Sequence, residues 1–457
     1  MKKLYNFLSV VILVFLTSAY SVEATPSVEY IKKIIERKFG NEKLGVGISI
    51  VIYENSNAYF YNYGMAKKEV NELVTSEHIL EIGSITKTFT TAVLADLVSQ
   101  GIVSLNDPVV NYLPKEVKMP QGNGQLISLL DLATHRSGLP RTPTNIPPKH
   151  IGNPYAHYSV KDMYDFLSGY ELTRDIGAEF EYSNIGMGLL GHVLHLKTGK
   201  TYEELVYDSV FKPLKMTSSF VKVPSSHEVM FTNGYNSDLS YIAHWQMPTL
   251  AGAGAIKSNT IDMLAYLKAN LTDDSPISAV LKSTHKIYDD GPESGTKIGL
   301  GWNIITRGDN PYYWHNGQIG GFHSFIGFDK VATKGIVILA NSRNDIDQIG
   351  HNYLNDTLKQ MAVVKARVVI EIPIENLKKL EGKYEFSSEF FIKVSVEKGR
   401  LYVQATNQSR FPVFAKSATE FFLKVADADL EFELDEAGNA KALILIQNNQ
   451  VMKGKKP

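Results

Sequence analysis

The sequence predicts an α/β (α+β) fold in two parts: an antiparallel sheet flanked by helices with a helical insertion, then a C-terminal all-β, barrel-like domain. Two observations carry this prediction. Strand-type segments lie near both ends of residues 25–365 with helix-type patterns between them, which indicates one sheet built from both ends of a domain. In residues 366–457, short alternating runs separated by turn residues replace that pattern, which is typical of a meander of hairpins.

The elements of the first part follow from their residue types. Residues 43–66 predict two strands around an Asn-Ser turn, because β-branched and aromatic residues flank polar turn formers. Residues 81–100 predict a helix with its larger apolar residues on one face. Residues 104–290 mix helical patterns with Pro- and Gly-rich connections, and strand patterns resume at 321–329 and 334–342.

The second part alternates apolar and polar residues over short runs. Two pairs of these runs are separated by Lys398-Gly399 and by Ala437-Gly438, which are turn formers. Each pair therefore predicts a hairpin, and a succession of hairpins favours a small barrel or sandwich.

Composition narrows the chemistry that the chain can perform. The 457 residues carry a formal net charge of −1 without long runs of one sign, so a nucleic-acid partner is not expected. The chain contains no cysteine, which excludes disulfides, thiolate metal sites and a cysteine nucleophile. Covalent catalysis would therefore use oxygen or nitrogen, and neither a cofactor nor a metal is expected.

The N-terminus has the pattern of a secretory signal. Lys2 and Lys3 precede an apolar run over residues 7–20, and Val and Ala occupy the −3 and −1 positions of a cleavage site after Ala24. We expect residues 1–24 to be a signal peptide and the protein to be periplasmic or extracellular. The alternative is an uncleaved anchor, which would bring the protein to a membrane.

A serine and a lysine begin the predicted helix. Ser84 and Lys87 are three residues apart, so they share a helix face, and the positive end of the helix dipole favours charge on an attacked carbonyl oxygen. The spacing alone does not identify a nucleophile, because Ser-x-x-Lys occurs six times. It starts at Ser84, Ser209, Ser219, Ser283, Ser294 and Ser395.

Two further motifs follow in a fixed order, and they make the pattern specific. They are Tyr182-Ser183-Asn184 in "FEYSNIG" and His315-Asn316-Gly317 in "WHNGQIGG". With flanking text such as "LLDLATHRSGLP" and "AGAGAIKSNT", residues 28–345 resemble the penicillin-binding serine hydrolase superfamily, on the branch of class C β-lactamases, D,D-peptidases, D-aminopeptidases and esterases. The family pattern is Ser-x-x-Lys, Tyr-x-Asn and Lys/His-Thr-Gly. The C-terminal region resembles an accessory β-barrel that follows some of these hydrolases.

The resemblance implies a catalytic role for each motif. Ser84 would be the nucleophile that forms an acyl-enzyme, Lys87 would help to remove its proton, and Tyr182 would act as general base and then acid. The backbone N–H groups of Ser84 and Gln318 would form the oxyanion hole. Since tyrosine has an ordinary pKa of about 10, we expect cations such as Lys87 to lower the pKa of Tyr182.

The resemblance also implies a substrate-binding set, with one departure from the family pattern. Asn184 would bind substrate and Lys87, while His315, Asn316 and Gly317 would hold a substrate carboxylate. A histidine is largely neutral at pH 7, and asparagine differs from threonine as a hydrogen-bonding group. If His315 recognises the carboxylate charge, binding of a carboxylate-bearing substrate should weaken as pH rises. If it does not, an uncharged ester becomes the better interpretation of the substrate.

Two other motifs are better explained by structure. "GMGLLG" at 186–191 matches a dinucleotide-binding glycine pattern, but it lies inside an apolar helix pattern without a preceding strand, so we interpret these glycines as helix-packing residues. His192 and His195 share a helix face, but no zinc motif accompanies them, and we expect a structural role.

The sequence therefore predicts an exported serine hydrolase acting on an amide or ester: a β-lactam, a D-amino-acid peptide such as a cell-wall peptide, or a carboxylic ester. The alternative is a non-hydrolysing penicillin-binding or peptidoglycan-binding protein, in which the acyl-enzyme forms but does not turn over. The motifs do not separate these functions, because acylation uses the same residues in each. The sequence does not determine an oligomeric state.

Overall fold

The computed structural model describes residues 25–122, 124–146, 152–306, 311–363, 369–397, 399–406, 408, 410–426, 428–447 and 450–456. The predicted signal peptide and the predicted domain boundary after residue 365 lie outside them. The described α-helices are α1 (Pro26–Ile35), α2 (Thr86–Ser99), α3 (Leu129–Ala133), α4 (Val160–Gly169), α5 (Asn184–Thr198), α6 (Tyr202–Val206), α7 (Lys212–Leu214), α8 (Ala251–Gly254), α9 (Thr260–Leu271), α10 (Ser278–Thr284), α11 (Asp347–Leu354), α12 (Leu358–Ala362) and α13 (Ile374–Lys378).

The strands fall into one large sheet, three short pairs and a barrel. In chain order the described strands are β1 (Gly47–Glu54), β2 (Asn57–Lys67), β3 (Glu72–Leu73), β4 (Leu80–Glu81), β5 (Gln121–Gly122), β6 (Gln125–Leu126), β7 (Gly234–Tyr235), β8 (Tyr241–Ile242), β9 (Lys257–Ser258), β10 (Asp289–Asp290), β11 (Thr296–Ile298), β12 (Asn303–Ile305), β13 (Tyr312–Ile319), β14 (Phe322–Asp329), β15 (Lys334–Ala340), β16 (Gly382–Glu385), β17 (Phe391–Glu397), β18 (Arg400–Ala405), β19 (Phe411–Ala415), β20 (Glu420–Leu423), β21 (Ala428–Leu434), β22 (Ala440–Gln447) and β23 (Gln450–Lys455).

The large sheet joins the two ends of the first domain, as predicted. Its order is β10-β11-β12-β13-β14-β15-β1-β2-β3, and all of its pairings are antiparallel. β1 lies between β15 and β2, so Val51 is opposite Val337 on one side and Phe60 on the other. The turn between β1 and β2 is formed by Asn55 and Ser56, both with positive φ, which is the twist that a two-residue hairpin favours.

Helices cover both faces of this sheet. One face packs against the insertion and α2, which is buried around most of its circumference; the other face packs against α1, α11 and α12. The glycines of 186–191 lie in α5, where Gly191 approaches Gly252 of α8 with 3.2 Å between the position of an added Cβ and the Gly252 Cα atom. This close contact confirms the packing interpretation of the glycine pattern.

The C-terminal strands β16 to β23 close into a barrel among the described residues. Its interior is filled by apolar side chains. Gly399 and Gly438 adopt positive φ in the two predicted hairpin turns. Lys398, the other predicted residue of the first turn, lies outside the described residues. The barrel contacts the first domain: Arg400 forms an ion pair with Asp238 at 2.8 Å. None of the helices in the described ranges has both the length and the hydrophobicity needed to cross a membrane.

Candidate active site

Ser84 lies in a one-turn 3₁₀ helix, Gly83–Ile85, directly before α2. The predicted helix therefore begins later than residue 81, because Leu80 and Glu81 pair with β9 and Gly83 adopts a left-handed φ of +50°. A Cβ atom on Gly83 would lie 3.1 Å from the backbone nitrogen of Gln318, and one on Gly317 would lie 2.1 Å from the Ile82 carbonyl oxygen. The two glycines let β13 lie directly against the chain that carries Ser84.

Lys87 approaches Ser84 from the first turn of α2. Its Nζ atom lies 3.0 Å from Ser84 Oγ and donates a hydrogen bond to the Ala253 carbonyl oxygen at 2.6 Å. The side chain is completely buried, and burial, assisted by the charge of Arg141, lowers the pKa of Lys87 well below its usual range. A neutral amine in contact with Ser84 Oγ can accept the serine proton.

Tyr182 completes a hydrogen-bonded group around Ser84. Its hydroxyl bonds to the Ser84 side chain, and Lys87 Nζ lies 4.7 Å from its ring centroid. Arg141 covers the ring, with Cζ 4.8 Å from the same centroid. Burial nevertheless raises the pKa of Tyr182 to about 12, and the Ser84 hydrogen bond and Arg141 oppose this only in part. The expectation that cations lower this pKa below 10 is wrong, because burial outweighs them; Tyr182 is a phenol at neutral pH.

Asn184 is the first residue of α5 and is held by the same loop as Tyr182. Its backbone N–H donates to the Arg141 carbonyl oxygen at 2.8 Å, and its side chain hydrogen-bonds to Tyr155. The hydrogen bond to Lys87 that the family resemblance implies is not formed within the described residues. Asn184 does line the cleft that contains Ser84, so its amide is available to a substrate.

His315 and Asn316 use their side chains within the protein. His315 Nδ1 lies 2.5 Å from the Asn316 carbonyl oxygen, and burial together with the charge of Lys87 lowers the pKa of His315 to about 3. Asn316 Nδ2 donates to Asp347 Oδ2 at 2.6 Å. The His315 imidazole is therefore uncharged at neutral pH and does not supply the positive charge that the third motif was expected to offer as pH falls from 8 to 6.

Ser84, Tyr182 and two residues of the third motif, His315 and Asn316, line one cleft of about 1090 Å³. Two arginines that no sequence motif indicated also line it, Arg141 and Arg343. Arg343 is largely buried, which lowers its pKa, and its guanidinium forms no hydrogen bond or ion pair with the residues described. Its backbone carbonyl oxygen accepts a hydrogen bond from Gln318 Nε2 at 3.0 Å. The positive charge of the cleft thus lies next to the third motif rather than in it.

The histidines that were considered as metal ligands are engaged elsewhere. His192 Nε2 shares a hydrogen bond of 2.7 Å with the Tyr164 hydroxyl, and His195 Nδ1 lies 2.7 Å from the Lys200 carbonyl oxygen. The described residues bring His323, Asp345 and Asp347 close enough to hold a cation. However, His323 already bonds to Asp347 through Nε2 at 2.9 Å and to the Asn344 carbonyl oxygen through Nδ1 at 3.0 Å.

Comparison with known proteins identifies the family of the chain. The Beta-lactamase family model matches residues 35–358, and a domain of unknown function (DUF3471) matches residues 366–456. The chain is 25% identical over 329 residues to a β-lactamase of Pseudomonas fluorescens, covering 65% of this chain and 88% of that protein. It is 26% identical over 324 residues to the D-alanyl-D-alanine-carboxypeptidase/endopeptidase AmpH of Escherichia coli strain K12, covering 66% and 81%.

Solved structures show the same fold. A β-lactamase/D-alanine carboxypeptidase from Pseudomonas syringae superposes with a TM-score of 0.64 at 22% identity, over 74% of this chain and 99% of the other. A class C β-lactamase superposes with a TM-score of 0.63 at 24% identity, over 73% and 99%. The chain therefore belongs to the β-lactamase family.

Proposed function

We propose that the protein is an exported serine hydrolase that forms an acyl-enzyme at Ser84 and hydrolyses an amide or ester bond. The observation that carries the proposal is the contact of both Lys87 Nζ, at 3.0 Å, and the Tyr182 hydroxyl with the Ser84 side chain in an open cleft. A serine hydroxyl held between a low-pKa amine and a phenol has a proton acceptor and a proton donor at hand.

The proton states of the two partners support an order of steps. Lys87 accepts the Ser84 proton as Oγ attacks the substrate carbonyl carbon, and the backbone N–H groups of Ser84 and Gln318 receive the oxyanion. Tyr182 then donates its proton to the departing nitrogen or oxygen, and the Lys87 ammonium returns a proton to the phenolate. The products are the free leaving group, the Ser84 ester and an unchanged set of protein groups, after which water hydrolyses the ester.

Arg343 favours a substrate that carries an anionic group. A largely buried guanidinium without a partner among the described residues is costly unless a ligand pairs with it, and a carboxylate is its natural partner. β-Lactams and peptides ending in a D-amino acid carry such a carboxylate, whereas a simple carboxylic ester does not. The names of the relatives, β-lactamase and D-alanyl-D-alanine-carboxypeptidase, fall in the same two anionic classes.

The test is covalent labelling of the purified protein with a fluorophosphonate and with a penicillin, read by intact-mass spectrometry. We expect one adduct, absent in Ser84→Ala and present in Ser209→Ala. Ser209 is the matched control, because a lysine also follows it at the third position and it is buried, where its hydroxyl bonds to Asp96 at 2.6 Å. An adduct that persists in Ser84→Ala would end the proposal.

The fate of the adduct separates hydrolases from non-hydrolysing binders. Loss of the penicillin adduct within seconds to minutes, with release of the hydrolysed acid, is the expected result. A stable adduct would instead favour a penicillin-binding protein that does not turn over. A panel of a chromogenic cephalosporin, D-Ala-D-Ala peptides and short nitrophenyl esters identifies the preferred class.

Export is part of the proposal and rests on the N-terminal pattern alone. Expression with and without residues 1–24, followed by N-terminal sequencing of the exported protein, tests it. We expect the mature chain to begin at Thr25. Retention in the cytoplasm with an intact N-terminus would contradict export.

A further inference from the structure

His135 holds the segment that carries Tyr182 on both sides. Its carbonyl oxygen accepts a hydrogen bond from the backbone N–H of Glu181 at 2.9 Å, and its Nδ1 atom accepts one from the backbone N–H of Ser183 at 3.1 Å. Its ring lies 4.6 Å from the Tyr182 ring, centroid to centroid. His135 itself adopts a φ of +61°, which few non-glycine residues do. The loop therefore holds a strained backbone conformation at the residue that makes these contacts.

The hydrogen bonds fix the tautomers of two buried imidazoles. Because His135 Nδ1 accepts the Ser183 N–H, the ring proton of a neutral His135 is on Nε2. Because His315 Nδ1 faces the Asn316 carbonyl oxygen, the ring proton of a neutral His315 is on Nδ1, which leaves Nε2 as an acceptor. Burial lowers the pKa of both rings. One Nε2 atom is thus a donor and the other an acceptor.

A second cavity, of about 10 Å³, adjoins these two rings. It is lined by His135, Tyr182, Asn303, His315 and Trp302, among others. Tyr182, Asn303 and His315 line the cleft as well, so they form the wall between the two spaces. The cavity has the size of one water molecule, and a buried water needs two to four polar partners.

We propose that this cavity is a binding site for one water molecule that accepts a hydrogen bond from His135 Nε2 and donates one to His315 Nε2, which makes His135 a positioning residue for Tyr182 and His315. Within the described part of the chain neither Nε2 atom has a protein hydrogen-bond partner, and Asn303 lines the same cavity. The catalytic part of the inference rests on the proposed function of Tyr182.

The water bridge has a chemical consequence at the site. The water joins His315 of the third motif to His135, which holds the loop of the second motif. Because burial keeps both rings uncharged, neither places an imidazolium beside Tyr182. The Tyr182 hydroxyl then keeps one orientation toward Ser84, and no cationic ring lies beside it to act as a second proton donor. His135 acts through Tyr182 and does not itself touch the reacting atoms.

Two amide variants separate the roles of the two ring nitrogens of His135. In His135→Asn, the amide oxygen can replace Nδ1 as the acceptor of the Ser183 N–H, but the donor to the water is lost. In His135→Gln, the amide N–H replaces the Nε2 donor, but the Ser183 acceptor is lost. His192→Asn is the matched control, because His192 is also a largely buried histidine with one hydrogen bond to a side chain, Tyr164.

The wild-type protein is tested first, by a high-resolution crystal structure and by ¹⁵N NMR of the imidazoles. We expect one ordered water between the rings, with His135 protonated on Nε2 and His315 on Nδ1. The absence of the water, or the opposite tautomer of either ring, would overturn the proposal. These measurements do not depend on enzymatic activity, so they stand even if Ser84 labelling fails.

The variants then test positioning. We expect His135→Asn to lower the acylation rate about tenfold or more with KM changed less than twofold, because a small displacement of a catalytic group is costly. The His315 Nε2 resonance should shift in this variant, and His135→Gln should restore it. His192→Asn should change neither. An acylation rate and a His315 resonance in His135→Asn that match the wild type would overturn the proposal, whatever its melting temperature.

Discussion

Replacing Arg343 by glutamine should selectively impair substrates that carry a carboxylate. The guanidinium lines the cleft beside Gln318, and within the described residues it has no acidic partner that would compete with a substrate. A hydrogen bond to a charged group is worth about 1.5–3 kcal/mol, and about 1.4 kcal/mol corresponds to a tenfold change. We therefore expect Arg343→Gln to lower kcat/KM for an anionic substrate by about 10- to 150-fold.

The measurement compares two substrates that differ only in charge, for example a D-alanyl peptide and its C-terminal methyl ester. For the neutral ester, Arg343→Gln should change kcat/KM less than about twofold, because no charged pair is lost. Arg343→Lys should recover part of the activity toward the anion, since lysine keeps the charge but not the planar fork of donors. Arg410→Gln is the control, since Arg410 lies on the barrel surface in an ion pair with Glu397.

Two results would refute this reasoning. An equal loss for the anionic and the neutral substrate would mean that Arg343 supports the structure of the cleft rather than the substrate charge. An unchanged kcat/KM for the anion would mean that its carboxylate lies elsewhere, and Arg141 would then be the next cation to test. The first result would remove the preference for an anionic substrate over a neutral ester.

Three further predictions concern the rest of the site and the barrel. Tyr182→Phe should lower kcat by about 10² to 10⁴ with an unchanged Tm, because it removes a proton donor, and a loss below threefold would exclude that role. Because the pKa of His315 is lowered to about 3, KM for an anionic substrate should stay flat between pH 6 and 8, and a slope in that interval that His315→Asn removes would contradict its neutrality. A chain ending at Val363 should still be labelled at Ser84, because the described lining of the cleft extends no further than Asn355; a folded truncation that resists labelling would show that the barrel completes the site.

Local patterns and ordered motifs predicted most of the fold. The alternation in residues 43–66 and 334–342 identified β1, β2 and β15, and the hairpin pattern beyond residue 366 predicted the barrel. The start of α2 was placed too early, because the left-handed φ of Gly83 depends on the close approach of β13 rather than on its own neighbours in sequence. Burial has the same non-local character, and it reversed the expected direction of the pKa shift of Tyr182.

His135 was beyond the reach of sequence reasoning for a related reason. Its contacts with Glu181 and Ser183 join segments almost fifty residues apart, and only the packed loops bring its ring against Tyr182. Its neighbourhood in the sequence, "LATHRSGLP", carried the family resemblance without indicating a role for this residue. A role for a histidine in such a stretch can be argued only when the hydrogen-bond partners of its two ring nitrogens are known.

The register of the sheet explains why Arg343 lies near the third motif. Gln318 of β13 lies opposite His323 of β14, and His323 lies opposite Ala340 of β15. Ala340 is therefore level with Gln318, the residue after the third motif, and the chain that follows stays beside β13: the carbonyl oxygen of Arg343, the third residue after Ala340, accepts a hydrogen bond from Gln318 Nε2 at 3.0 Å. A cation three residues beyond β15 can thus take the place of a lysine at position 315, which makes the segment after β15 the place to look for substrate charge recognition when the third motif carries a neutral histidine.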